Sequence, residues 1–149
     1  MVDKSSMSIT FSIEDVARFY KEVGDPVDLG CCENDMQKWI SYCEEKYPYK
    51  GICTVKKWAV VECKCTEYEA LLLKERMGLK PFVLNANYVV WDSKARWREG
   101  DFACSFYLVD IEENCLFITK NTCYILIGEG HKKSISPAIL HAIMRGLSC

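Results

Sequence analysis

Apolar positions along this chain recur first at helical and then at strand spacing. Ile13, Val16, Phe19, Tyr20 and Val23 fall on one face of a 3.6-residue repeat. Ser12 precedes them with Asp15 three residues on, in the manner of a capping box, and Gly24-Asp25-Pro26 closes the segment. A second helix is predicted over 34–46, with Met36, Trp39, Ile40 and Cys43 on one side, broken by Pro48 and Gly51. The stretch KKWAVVECK, 56–64, reads as a strand with a buried middle. Thr66-Glu67-Tyr68-Glu69 is a capping box for a helix through Met77, and Gly78 is its C-cap.

Extended chain is predicted over 81–92, interrupted around Asn85-Ala86-Asn87. Phe102, Cys104, Phe106 and Leu108 alternate as the inward face of a half-buried strand, which Asp110 ends. A turn at Glu112-Glu113-Asn114 leads to apolar, β-branched strands over 115–119 and 122–127, joined at Lys120-Asn121. Gly128-Glu129-Gly130 ends the sheet. Ser136-Pro137 opens the last helix, with Ile139, Ala142, Ile143 and Leu147 as its buried stripe. The order predicts a single α+β domain: two N-terminal helices, an antiparallel sheet of about four to five strands, one helix between strands and a C-terminal helix. Residues 1–7 read as a flexible tail and 8–149 as the domain.

Composition narrows the function classes. Half of the 149 residues are hydrophobic, enough for one real core, and 27% are charged with a net charge of −2. That balance speaks against an extended polybasic nucleic-acid binder. No apolar run approaches the roughly 20 residues that span a bilayer, so no membrane partner is expected. The N-terminus lacks the apolar core of a secretory signal. The ten cysteines therefore read as reduced thiols in an intracellular protein, cytoplasmic or nuclear. Cys43, Cys53, Cys63, Cys104, Cys115 and Cys123 lie inside apolar periodic segments, where a thiol behaves as a small hydrophobe. Cys63-Lys64-Cys65 is the one pair that points toward zinc, with His131 or His141 to complete it; the spacing is not that of a zinc knuckle. No cofactor is expected.

Leu29-Gly30-Cys31-Cys32-Glu33 sits in a loop bounded by Gly and Pro, with acidic flanks at Asp25, Asp28 and Asp35. It resembles the LxCxE peptide by which viral regulatory proteins dock onto retinoblastoma-type pocket proteins. The resemblance implies that Leu29 and Cys31 enter apolar pockets while Glu33 meets backbone donors. The chain then reads as a small non-enzymatic regulatory protein, similar in type to viral host-modulating factors, with a protein partner. The alternative that Leu29 and Cys31 are core residues and Glu33 caps the next helix stays open.

Two further resemblances compete with it. From Thr66 the order helix, strands, helix is that of a double-stranded-RNA-binding domain, and Gly128-Glu129-Gly130 with Lys132-Lys133 is similar to its phosphate-binding segment. That likeness implies phosphate contacts from Lys132 and Lys133, with Arg96, Trp97 and Arg98 as a second basic loop; the simpler reading of that loop is a solvated hairpin tip. Glu62-Cys63-Lys64 resembles the ExK element of PD-(D/E)xK nucleases, which implies metal binding by Glu62 and water activation by Lys64. The upstream Asp that such a site needs falls no nearer than Asp28. Three tryptophans are expected in the core, with Trp97 at an exposed tip.

Overall fold

The structure is a computed structural model and describes residues 13–148; the expected tail over 1–7, the Ser12 cap and the Leu147 side chain lie outside the described residues. Its helices are α1 (Ile13–Lys21), α2 (Met36–Lys46, entered through a 3-10 turn at Glu33–Asp35), α3 (Glu67–Met77) and α4 (Pro137–Ser148). Its strands are β1 (Asp25–Val27), β2 (Gly51–Cys63), β3 (Phe82–Asp92), β4 (Ala103–Cys104), β5 (Asp110–Glu112), β6 (Leu116–Ile118), β7 (Thr122–Leu126) and β8 (Gly130–Ile135). The chain is α+β as expected, but its sheet has eight strands and is mixed, not an antiparallel sheet of four to five.

The sheet is organised by β2. One edge pairs antiparallel with β3 along its whole length. The other edge is shared: β7 runs parallel to residues 51–55, and β8 runs parallel to residues 59–63. Between them β2 kinks, and Lys57 takes a left-handed φ of 51°. Trp58, fully buried, lies at the kink and donates from Nε1 to the Ile127 carbonyl at 3.2 Å. That bond satisfies the indole N–H where the ladder changes partner.

Three apolar clusters follow. One lies inside the curl of the sheet, where Val55, Trp58, Leu84 and Val89 of β2 and β3 meet Phe117, Tyr124 and Leu126 of β6 and β7. A second packs Ile40 and Cys43 of α2 on the opposite face of β6 and β7. The third packs Phe19 of α1 and Leu140 and Ile143 of α4 on Val61, Cys63 and Val83. Leu140 centres the α4 stripe; the expected Ile139 and Ala142 are half-buried beside it.

Several expected elements change for identifiable reasons. β2 starts at Gly51, five residues early, because Ile52, Cys53, Thr54 and Val55 are buried against β7. β3 is continuous through Asn85-Ala86-Asn87, since Ala59 and Trp58 pair with Asn85 and Ala86. Residues 130–135 do not end the sheet but form β8, whose exposures alternate as a half-buried strand requires. Asp110 begins β5 where it was expected to end a strand. In β4 the phase is inverted: Ala103 and Ser105 are buried, while Phe102 and Phe106 are 57% and 51% exposed. The cause is Ser105, whose hydroxyl accepts the Leu84 N–H at 2.7 Å and donates to the Phe106 carbonyl. This slips the register by one before Leu108 returns to the core.

Two glycines mark close approaches. A Cβ on Gly30 would meet the Gly128 carbonyl, and one on Gly130 would overlap the Trp58 indole. Gly130→Ala is expected to lower unfolding free energy by about 2–3 kcal/mol, because the buried Trp58 cannot withdraw without leaving its rotamer and its bond to Ile127. Urea denaturation measures it; a loss under about 0.5 kcal/mol would show that Trp58 does not hold the kink.

Candidate interaction surfaces

Residues 29–33 lie along the sheet instead of projecting from it. The Cys31 N–H donates to the Leu126 carbonyl, the Cys31 carbonyl accepts from Gly128, and Gly30 donates to Asn114. Leu29 is half-buried against the inner cluster and Cys31 against the cluster under α2, where its thiol bonds to Cys115. Glu33 is exposed and pairs with Lys56 at 2.5 Å. The backbone groups that a docking peptide offers its partner are thus occupied at Cys31, and Gly30 fits the close pass beneath Gly128.

The structure brings together residues from two other readings. Glu62, Lys64, Lys132 and Lys133 line one open cleft of about 770 Å³ beside α1, with Asp25 across from Lys132 in the strand ladder. Glu62 Oε1 lies 3.8 Å from Lys132 Nζ and 3.4 Å from Ser134 Oγ. Lys133 turns to the other face, donates to the Phe19 carbonyl at 2.7 Å and covers the Phe19 ring. It satisfies an end carbonyl of α1, as a cation at a helix C-terminus does; burial lowers its pKa. Acids and bases interleave in the cleft, so no strong field of one sign develops there. Among the described residues no three His, Cys, Asp or Glu side chains gather as a metal site, and this holds for Glu62 and for Cys63 with Cys65. Between α3 and α4 run six strands where the RNA-binding likeness expects three, and Lys132 and Lys133 lie inside β8 instead of a loop before a helix.

The loop between β3 and β4 is exposed as expected, but Trp97 is half-buried and the Arg96 guanidinium is tied to the protein. The Arg96 guanidinium holds Asp92 through Nη2 at 2.8 Å and Nε at 3.1 Å, and donates from Nη1 to Thr122 Oγ1 at 2.7 Å. It stacks 4.8 Å from the centre of the half-buried Trp97 ring, which leans on Tyr124. The exposed tryptophan is Trp91. Arg98 stays exposed.

Among the described cysteines Cys32 is exposed, Cys31, Cys65 and Cys104 are half-buried, and the others are buried. Cys43, Cys53, Cys115 and Cys123 are fully buried. Burial pushes Cys53 and Cys115 up to about 12, and Cys104 up to about 11. A hydrogen bond to Cys123, with burial added, holds the proton on Cys43. Nucleophilic cysteines need the opposite: a thiolate with access to solvent.

Arg96 and Trp97 of the expected basic loop also line an aromatic groove of about 420 Å³ beside β4, a surface the sequence reading did not single out. Phe102, Cys104 and Phe106, alternate positions of one strand face, form one wall; Trp97, Tyr124 and Met144 complete it. Among the described strands β4 has a neighbour on one side only, β3. The sequence signal was there, in the alternation from Phe102 to Phe106, but it reads equally as a face turned inward.

Residues 28–142 match the model of a family described as a domain of unknown function, DUF6957. The match covers well over half of the chain, which therefore belongs to that family. No curated protein and no solved structure matches it.

The Arg96–Asp92 pair predicts an acid limb in stability. Burial acts to raise the Asp92 carboxyl, but the Arg96 side-chain and backbone bonds outweigh it and hold the pKa below the ordinary 3.8. A depressed folded-state pKa contributes stability that is complete above the unfolded value and lost as pH falls through the folded one. Denaturant midpoints measured downward from pH 5 are expected to fall with a steeper slope in the native chain than in Asp92→Asn, which carries no titrating carboxyl there. Equal slopes would show that Asp92 and Arg96 are not coupled.

Proposed function

We propose that the protein works by binding another protein, without catalysing a reaction, and that it takes an extended partner segment at the free side of β4. The observation that carries this reading is the union of an open strand edge with the exposed rings of Phe102 and Phe106. A strand with one neighbour can add a strand from a partner, and backbone hydrogen bonds then supply affinity. The groove supplies selection: a segment with apolar side chains at alternate positions sets them against Phe102, Phe106 and Met144 while its polar positions face water. Aromatic side chains, Phe and Trp among them, are enriched at protein interfaces relative to the rest of the surface. The regulatory role expected from residues 29–33 is kept in kind and moved in place. Docking there requires Cys31 to give up its bonds to Leu126 and Gly128, whereas the groove beside β4 is already open.

The test is selection from a displayed library of short random peptides on the purified protein and, in parallel, on Phe102→Ser/Phe106→Ser. Both side chains are exposed, so the variant is expected to keep its stability to within about 0.5 kcal/mol. Peptides with alternating apolar residues should be enriched on the native protein and lose at least about tenfold in affinity on the variant. Failure to enrich, or equal binding by both, overturns the reading. A short RNA duplex serves as the comparison ligand: binding that weakens with salt and with Lys132→Ala/Lys133→Ala would replace the peptide reading with the nucleic-acid one.

A further inference from the structure

The groove beside β4 has a polar end, formed by Arg96 and Asn121. Arg96 is the one charged side chain among the described residues that line the groove. A guanidinium carries five N–H groups. Three are used inside the protein, two on Asp92 and one on Thr122 Oγ1. One N–H on each Nη is left. Thr122 Oγ1, having accepted from Arg96, passes its own hydrogen to Asn121 Oδ1 at 3.2 Å, and Thr119 Oγ1 lies at the same distance from that oxygen. The Asn121 acceptor is thereby occupied, and its exposed amide offers two N–H groups. What this end has left to give a ligand is donors.

Positive charge gathers around the same end. Lys50 Nζ holds the Thr119 and Lys120 carbonyls, both at 2.7 Å, on the turn that carries Asn121. Gly51 donates to the Asn121 carbonyl, and a Cβ on Gly51 would meet both Arg96 Nη2 and the Lys94 stem. Lys94 and Lys120 are exposed. Against these cations stands Asp92, whose side chain has no exposure and so presents no oxygen to the groove. Later in the loop, Glu99 and Asp101 accept from the Tyr88 hydroxyl and the Arg98 N–H, with the exposed Arg98 side chain next to them in the chain. We infer that the partner segment taken at β4 is acidic. Its alternating apolar residues lie against Phe102, Phe106 and Met144, and glutamate or aspartate beside them meets Arg96, Asn121 and the surrounding lysines. This rests on the reading of β4 as the partner site and adds what selects the partner. A carboxylate accepts on both oxygens and donates nothing, which matches an end lined by unused donors. The same field turns away basic segments.

Fluorescence anisotropy of labelled peptides on the full chain tests it. The peptides alternate leucine and threonine, have both termini blocked, and carry three glutamates at one end or at the other, because a segment can add to β4 in either direction. Each is compared with its glutamine counterpart. The better-bound glutamate peptide should exceed its counterpart at least about tenfold at low salt, and the margin should shrink to within about twofold near 1 M salt. Lys94→Glu/Lys120→Glu changes two exposed side chains, and Asn121→Asp puts an acceptor where a donor stood. Each should remove the preference for glutamate while leaving the glutamine peptide's affinity unchanged, which also shows the variant to be folded with its aromatic wall intact. Equal binding of glutamate and glutamine peptides overturns the inference and leaves the partner reading standing. A preference that survives both variants does the same. Binding of none of the peptides overturns both.

Discussion

The indole of Trp58 is the fixed point of this fold. It fills the space where β2 changes neighbour from β7 to β8, and its one polar atom is satisfied by the Ile127 carbonyl. Because the ring lies beneath the backbone, the residues over it must be small. Gly130 provides that at the start of β8, and Gly30, which also borders the ring, passes close under Gly128. The kink it supports lets one 13-residue strand serve two parallel neighbours. The two halves of the sheet then curl around a single interior, while α2 covers one outer face and α1 with α4 another.

That architecture spends the chemically suggestive residues on structure. Cys31 is a rung of the ladder, Lys133 satisfies the end of α1, Arg96 is clamped on Asp92, and Glu62 is matched by Lys132 and Ser134. Each would have been a reasonable ligand-binding group in isolation. Held by a neighbour of opposite charge or by a backbone carbonyl, each has less left to offer a ligand. Exposed apolar side chains also remain, among them Phe102 and Phe106 beside β4 and Leu71 on α3. Exposed apolar surface in a folded chain marks association, and the proposed partner groove beside β4 rests on that.

Legibility in the sequence followed the range of the interaction. The capping box at Thr66 and Glu69, the Gly78 stop and Pro137 at the first turn of α4 were readable because each depends on residues within a few positions. The burial of Cys43, Cys53, Cys115 and Cys123 was readable because apolar periodicity surrounds them. β1 escaped notice because three residues with a proline carry no period, and β8 because its two lysines look like loop or binding residues until Phe19 and Glu62 are placed beside them. The alternation from Phe102 to Leu108 located extended chain but overstated it: only Ala103 and Cys104 form a strand, and Phe102 and Phe106 turn outward while Leu108 is buried.

By itself, then, the sequence determined both ends of α3, the start of α4, much of the apolar strands and the core positions of Cys43, Cys53, Cys63, Cys115 and Cys123. All of these rest on local geometry and on hydrophobic period. Only the tertiary structure decided that the sheet is mixed, that Cys31 bridges to Ile127 at its margin, and that Phe102 and Phe106 face outward. Those outcomes depend on which strand a backbone group meets and on whether a charge finds its partner far along the chain, as Lys132 finds Glu62. Such pairings leave no periodic trace in the chain, because a hydrogen bond between distant strands constrains position in space and not spacing in sequence.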